Sequence, residues 1–227
     1  MGLREATEKL LSRHQHEELA DLAVQNRAAV KYLFRCFYHP YGLRRWQAIE
    51  GLGRVAEALA LKEPESVREI IRRLLWSMND ESGNSNWSAP EAVGEIIYRR
   101  PDLFGEFVPI VVNAAAEEIF HRGIAWALGR IGQRRPDLVQ EFIPLLINSL
   151  THPAAEVRGY AAWALGQLGS SARSALTELN RLLDDRSEVE MYEDGGLAIR
   201  QVAYLAGAAI DKITAATARQ PAGQNGP

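Results

Sequence analysis

Two glutamates recur at a fixed distance from a repeated glycine: Glu50 and Glu91 stand three residues before Gly53 and Gly94. A carboxylate pair at equivalent positions of neighbouring units could do general acid–base work if one pKa were raised. Large rings accompany them. Trp46 and Trp87 precede those glutamates by four residues, and Trp126 and Trp163 take the glutamate position before Gly129 and Gly166. Rings interleaved with acids suit recognition of a peptide, because Trp supplies contact area at low entropic cost.

Nucleophile and metal chemistry is sparsely supplied. The single cysteine, Cys36 in YLFRCFYHP, excludes an internal disulfide and a cysteine-rich zinc site, and reads as a buried, inert thiol. His39, His121 and His152 fall in turns of separate units, spaced by roughly 10 Å per unit. They cannot all reach one tetrahedral ion at about 2.0–2.1 Å. His16-Glu17 is a lone pair outside any repeat, and neither Gly-x-Ser-x-Gly nor Gly-x-Gly-x-x-Gly occurs. No metal and no cofactor is expected, and the balance leans away from an enzyme.

The elements that must carry these residues repeat. RRPDLFGEFVPIVVN (99–113) returns as RRPDLVQEFIPLLIN (134–148), and a second motif reads AIEGLG, APEAVG, IAWALG, AAWALG and VAYLAG. In each unit the first stretch has apolar residues near a period of 3.6, and the second is rich in small residues that allow close backbone approach. Pro101 and Pro136 suit a first helical turn, and Pro109 and Pro144 should kink the first helix. Units that cannot bury an apolar face alone must stack. This predicts an all-α fold of about five helix pairs with N-terminal capping helices. One domain is expected over 1–213, with a polar, disordered tail over 214–227.

VRGYAAWALGQLG (157–169) and HRGIAWALGRIG (121–132) resemble the second helix of HEAT repeats, particularly the HEAT-like form of phycobilisome lyases. The resemblance implies a right-handed α-α superhelix used mostly as a binding scaffold, with second helices lining a concave face. Glu50, Glu91, Glu95, Trp46, Trp126 and Trp163 would form an acidic and aromatic stripe there, or else the rings, Trp126 and Trp163 foremost, fill the core between helices. It also implies a structural ladder in which Arg45, Arg122, Arg158 and Arg200 pair with acids such as Asp80, Glu118, Glu156 and Asp194. Some HEAT-like solenoids are alkylpurine DNA glycosylases, but the glutamates here oppose the positive groove that phosphates require.

Two turns are unusually elaborate. NDESGNSNWS (79–88) ends in Ser88-x-x-Glu91, which reads as a capping box. It also offers Asn79, Asp80, Glu81 and Asn86 beside Trp87. DDRSEVEMYEDGG (184–196) carries six acids and one arginine, and reads as a solvated acidic loop or docking edge. The formal net charge is -3, so no global positive field draws in nucleic acid. No apolar run approaches the roughly 20 residues of a membrane span, and the N-terminus lacks a signal-peptide core. The expectation is a cytoplasmic, non-enzymatic scaffold for a protein or peptide of basic character. Trp87 would anchor the partner, and Asp80 and Glu81 would select its charge. The alternative is an accessory subunit or lyase-like protein holding a small ligand in its groove.

Overall fold

The computed structural model describes residues 1–39, 41–78 and 86–219. The predicted partner residues Asn79, Asp80 and Glu81 lie outside them. The fold is mostly helical, as the repeats require, and falls into two compact units.

The first unit comprises Met1–Ala127 and Tyr192–Ala198. Its helices are α1 (Leu3–Ser12), α2 (His16–Gln25), α3 (Val30–Phe34), α4 (Leu43–Ala60), α5 (Pro64–Met78), α6 (Ala89–Arg99), α7 (Pro101–Phe104), α8 (Val108–Asn113) and the first part of α9 (His121–Gly132). The repeated glycines set its packing. A Cβ on Gly94 of α6 would lie 2.7 Å from the Cα of Ala127 in α9, and one on Gly53 of α4 would lie 2.5 Å from the Cγ of Glu95 in α6. At Gly94 only a residue without a side chain lets the two backbones come so close; at Gly53 it makes room for the Glu95 side chain.

The second unit comprises Leu128–Met191 and Ile199–Pro227. It holds the end of α9, α10 (Ile143–Ser149), α11 (Ala155–Gln167), α12 (Leu176–Arg181) and α13 (Val202–Arg219). Gly166 of α11 would place a Cβ 2.9 Å from the Cα of Ala209 in α13. Helix α13 continues to Arg219, so Thr214–Arg219, assigned to the tail by sequence, are helical.

The prolines act more strongly than a kink. Pro109 and Pro144 sit in the first turns of new helices, α8 and α10, each preceded by a short 3-10 turn (Gly105–Phe107 and Gln140–Phe142). The first helix of these units is therefore broken where the missing N–H can be spared.

The acidic segment after α12 is not a loop. Strands β1 (Glu188–Glu193) and β2 (Gly196–Gln201) form a two-stranded hairpin between the helices of the last pair. Asp194 and Gly195 close it with φ of +49° and +81°, the left-handed pair that a two-residue primed turn requires. Val189 and Met191 are buried, so alternate residues of β1 serve the core. No helix among the described residues is long and apolar enough to cross a membrane.

Candidate functional site

The acids and rings expected on an open stripe converge inside the first unit. Trp46 sits in the first turn of α4 and is 1% exposed. The Tyr192 ring stacks on it at a centroid distance of 5.1 Å and an interplanar angle of 6°, and Trp126 packs against it at 5.1 Å. The Arg45 guanidinium stands 4.2 Å from its ring centre, a favourable cation–π placement.

Arg45 also organises the neighbouring helix. Its Nη1 donates to Ser88 Oγ at 2.8 Å, and both terminal nitrogens donate to Glu91 Oε1 at 3.0–3.1 Å. Arg122 Nη2 is 3.8 Å from the same oxygen. Arg45 is 2% exposed and Glu91 0%. Because the guanidinium takes both groups, the expected capping box does not form: Ser88 makes no side-chain cap bond. Glu95, also buried, accepts from Arg99 Nε at 2.8 Å.

Several expectations are thereby corrected. Trp46, Asn86, Glu91, Glu95 and Trp126 are buried and present no face to a partner. Glu91 pairs with Arg45 and lies 3.8 Å from Arg122, where the sequence reading had not placed it among the acids of the ladder. In the second unit Arg158 pairs with Asp185 at 2.8 Å and donates to the His152 and Pro153 carbonyls; Glu156 is not its acid. Arg200 lies on β2 with its guanidinium 5.6 Å from the Tyr204 ring centre, and Asp194 occupies the hairpin turn. Glu118 is exposed just before α9. Trp163 is half-buried over Gly129. Trp87 remains exposed in the turn before α6.

A second cluster was not foreseen. The Tyr192 hydroxyl donates to Glu50 Oε2 at 2.6 Å, across 142 residues of chain. His16 Nε2 lies 3.6 Å from the same oxygen. The adjacent His16 lowers the Glu50 carboxyl, burial opposes this, and the Tyr192 hydroxyl lowers it further, to about 2. Glu50 is thus ionised at neutral pH, the opposite of a carboxyl raised for general acid work. The Asp-Gly turn flanked by alternating apolar residues was the sequence signal that could have found Tyr192. Trp76, 80% exposed near the end of α5, was also missed.

A cavity of about 430 Å³ opens in the same unit, lined by Arg4, Arg35, Arg44, Arg45, Tyr41 and Glu8 among others, with Glu8 paired to Arg4 and Arg44. Four arginines against one glutamate leave its walls mostly basic, unlike the acidic stripe read from sequence.

Residues 120–168 match the model of the HEAT-like repeat, and residues 157–185 match that of the PBS lyase HEAT-like repeat. An uncharacterized protein of Archaeoglobus fulgidus is 37% identical over 75 residues, 33% of this chain and 38% of that relative. The match therefore spans well under half of that relative's length. Among solved structures, a designed armadillo repeat protein in complex with the peptide (KR)4 superposes with a TM-score of 0.52 at 16% identity, over 92% of this chain and 91% of that one. An engineered protein superposes with a TM-score of 0.48 at 20% identity, over 95% and 100% of the two chains. Repeated glycines at the helix contacts and the two repeat matches lead to one conclusion: residues 120–185 of this chain carry HEAT-like repeats.

Proposed function

We propose that this chain is a non-enzymatic scaffold that binds a protein or peptide of basic character through the turn between α5 and α6. The observation that carries the reading is the exposure of two tryptophans flanking that turn, Trp76 at 80% and Trp87 at 36%. Exposed Trp is costly to leave in water, and interface hot spots are enriched in it. Trp87 and Trp76 are the apolar anchors, and Asp80 and Glu81 in the same segment supply the charge that selects a cationic partner. The designed armadillo repeat protein with a similar fold was solved with (KR)4, a ligand of the chemistry proposed here. The charges inside the unit are engaged structurally, which also supports the reading: Arg45 pairs with Glu91 between α4 and α6, and Glu95 with Arg99 within α6.

Calorimetric titration with (KR)4, and with a Gly/Ser peptide of equal length, tests this. Saturable binding of (KR)4 alone is expected. Trp87→Ala should weaken it about tenfold or more, as loss of a hot-spot ring does, and Asp80→Asn with Glu81→Gln should reduce its salt sensitivity. Equal affinity for both peptides, or no change in Trp87→Ala and Trp76→Ala, would refute the assignment. The basic cavity favours a second reading, an accessory subunit holding a small anionic ligand. Binding of a phosphate or carboxylate compound that is lost in Arg35→Ala, with no peptide binding, would support that instead.

A further inference from the structure

We propose that His14, His16 and Glu50 form a binding site for a divalent transition-metal ion of the zinc class, with Tyr192 positioning the carboxylate. This goes beyond the scaffold reading and does not rest on it. Three segments of the first unit build the site. His14 lies in the turn between α1 and α2 and His16 begins α2, Glu50 comes from the middle of α4, and Tyr192 comes from β1. One ligand atom from each of His14, His16 and Glu50 lies within 4.8 Å of the others, and they are the one such group among the described residues.

The detailed geometry favours a metal over a simple ion pair. His16 Nε2 and Glu50 Oε2 are 3.6 Å apart, too far for a good hydrogen bond. It is close to the spacing of two ligands on one tetrahedral ion, about 3.4 Å for metal–ligand distances of about 2.1 Å. Both ring nitrogens of His16 are buried without a hydrogen-bond partner. Buried polar atoms are nearly always satisfied, and an orphaned pair calls for an explanation. A metal on Nε2, the nitrogen that faces Glu50, accounts for that one of the two.

The backbone and the surrounding groups agree. His14 has φ of +54°, a left-handed conformation that a non-glycine residue adopts at a cost and that often marks a functional site. The two imidazoles meet edge to face with centroids 5.7 Å apart. The Gln47 amide nitrogen is 3.0 Å from His14 Nε2, and the Tyr192 hydroxyl holds Glu50 at 2.6 Å. Such outer partners fix ring orientation and ligand basicity in metal sites. The hairpin turn backs His14: the Cβ position of Gly195 is 3.6 Å from His14 Cε1. His14 itself is exposed, which leaves a path for the ion and room for water as a further ligand. Two histidines, one carboxylate and an open side match the donor set of zinc and related ions.

The test uses the full chain without an affinity tag, stripped with EDTA and titrated with Zn²⁺ by calorimetry, with Co²⁺ as a visible-absorption probe. One equivalent is expected to bind. His14→Ala, His16→Ala and Glu50→Gln should each weaken binding by about 100-fold, Tyr192→Phe by about tenfold, and His39→Ala not at all. The Co²⁺ bands should shift or vanish in His16→Ala. Should His16→Ala fail to fold, His14→Ala at its exposed position still decides the matter. Binding that survives both His14→Ala and Glu50→Gln, or no binding at one equivalent, overturns the proposal. Neither result bears on (KR)4 binding.

Discussion

Replacing Arg45 by methionine is the sharpest probe of how the first unit is held together. The change keeps much of the side chain's length and removes its charge. It deletes three hydrogen bonds, to Ser88 and Glu91, and the cation placed 4.2 Å from the Trp46 ring centre. Glu91 would then be a fully buried carboxylate facing only Arg122 at 3.8 Å. Breaking such a pair from one side costs about 3–5 kcal/mol, because the surviving charge has lost its compensation. Glu91→Leu should cost a similar amount by stranding Arg45. The double variant, Arg45→Met with Glu91→Leu, removes both desolvation penalties and should return to within about 1 kcal/mol of the parent. The coupling between the two positions would then be several kcal/mol. Urea unfolding followed by far-ultraviolet circular dichroism measures this, read from the midpoints while the slopes agree. A single Arg45→Met cost below about 1 kcal/mol, the range of exposed pairs, would contradict the assignment. So would additive single effects.

Other consequences can be checked by similar means. Gly166→Ala should lose about 1–3 kcal/mol, since the new methyl meets the Ala209 backbone at 2.9 Å. Gly207→Ala, whose Cβ has no neighbour nearer than 3.8 Å, should be neutral or gain up to about 1 kcal/mol from helix propensity; equal urea midpoints would mean that the α11–α13 crossing yields freely. Burial raises the Asp185 carboxyl, but the Ser187 hydroxyl and amide and the Arg158 guanidinium outweigh this and hold it below its ordinary value. Its contribution is therefore complete above the unfolded value of about 3.9 and lost as pH falls through the lower folded value. Asp185→Asn should cost about 1.5–3 kcal/mol at neutral pH, with the gap to the parent closing below about pH 4; a gap unchanged down to pH 2 would remove Asp185 from the acid response. Gly195→Val puts a β-branched residue at φ +81° and should cost about 1–2 kcal/mol, visible as a lower urea midpoint.

Much of the helical architecture was legible because periodicity and repeat glycines report directly on packing. Gly94 and Gly166 stand where helix backbones touch, as the small-residue motif implies. Pro109 and Pro144 marked the right positions, although they begin helices where a bend within one was expected. The candidate site was harder to read. Trp46 lies beside Arg44 and Arg45, and polar neighbours suggested exposure, yet Arg45 is drawn inward by an acid 46 residues away. The acid-rich composition of 184–196 masked the alternation of Val189 and Met191 and the Asp-Gly turn. His14, His16, Glu50 and Tyr192 share no local pattern, since three segments meet there only after folding.

The chain order of the first unit bears on how the protein is made. Everything up to Ala127 leaves the ribosome well before Tyr192–Ala198, the stretch that stacks on Trp46 and bonds to Glu50. At synthesis rates of about 5–20 residues per second, the intervening stretch of about 65 residues imposes a wait of about 3–13 s. During that interval the indole face and the carboxylate are uncovered on a nascent chain. A fragment ending near Ala127 would remain in that unfinished state, so this polypeptide should tolerate early termination poorly despite its repetitive design.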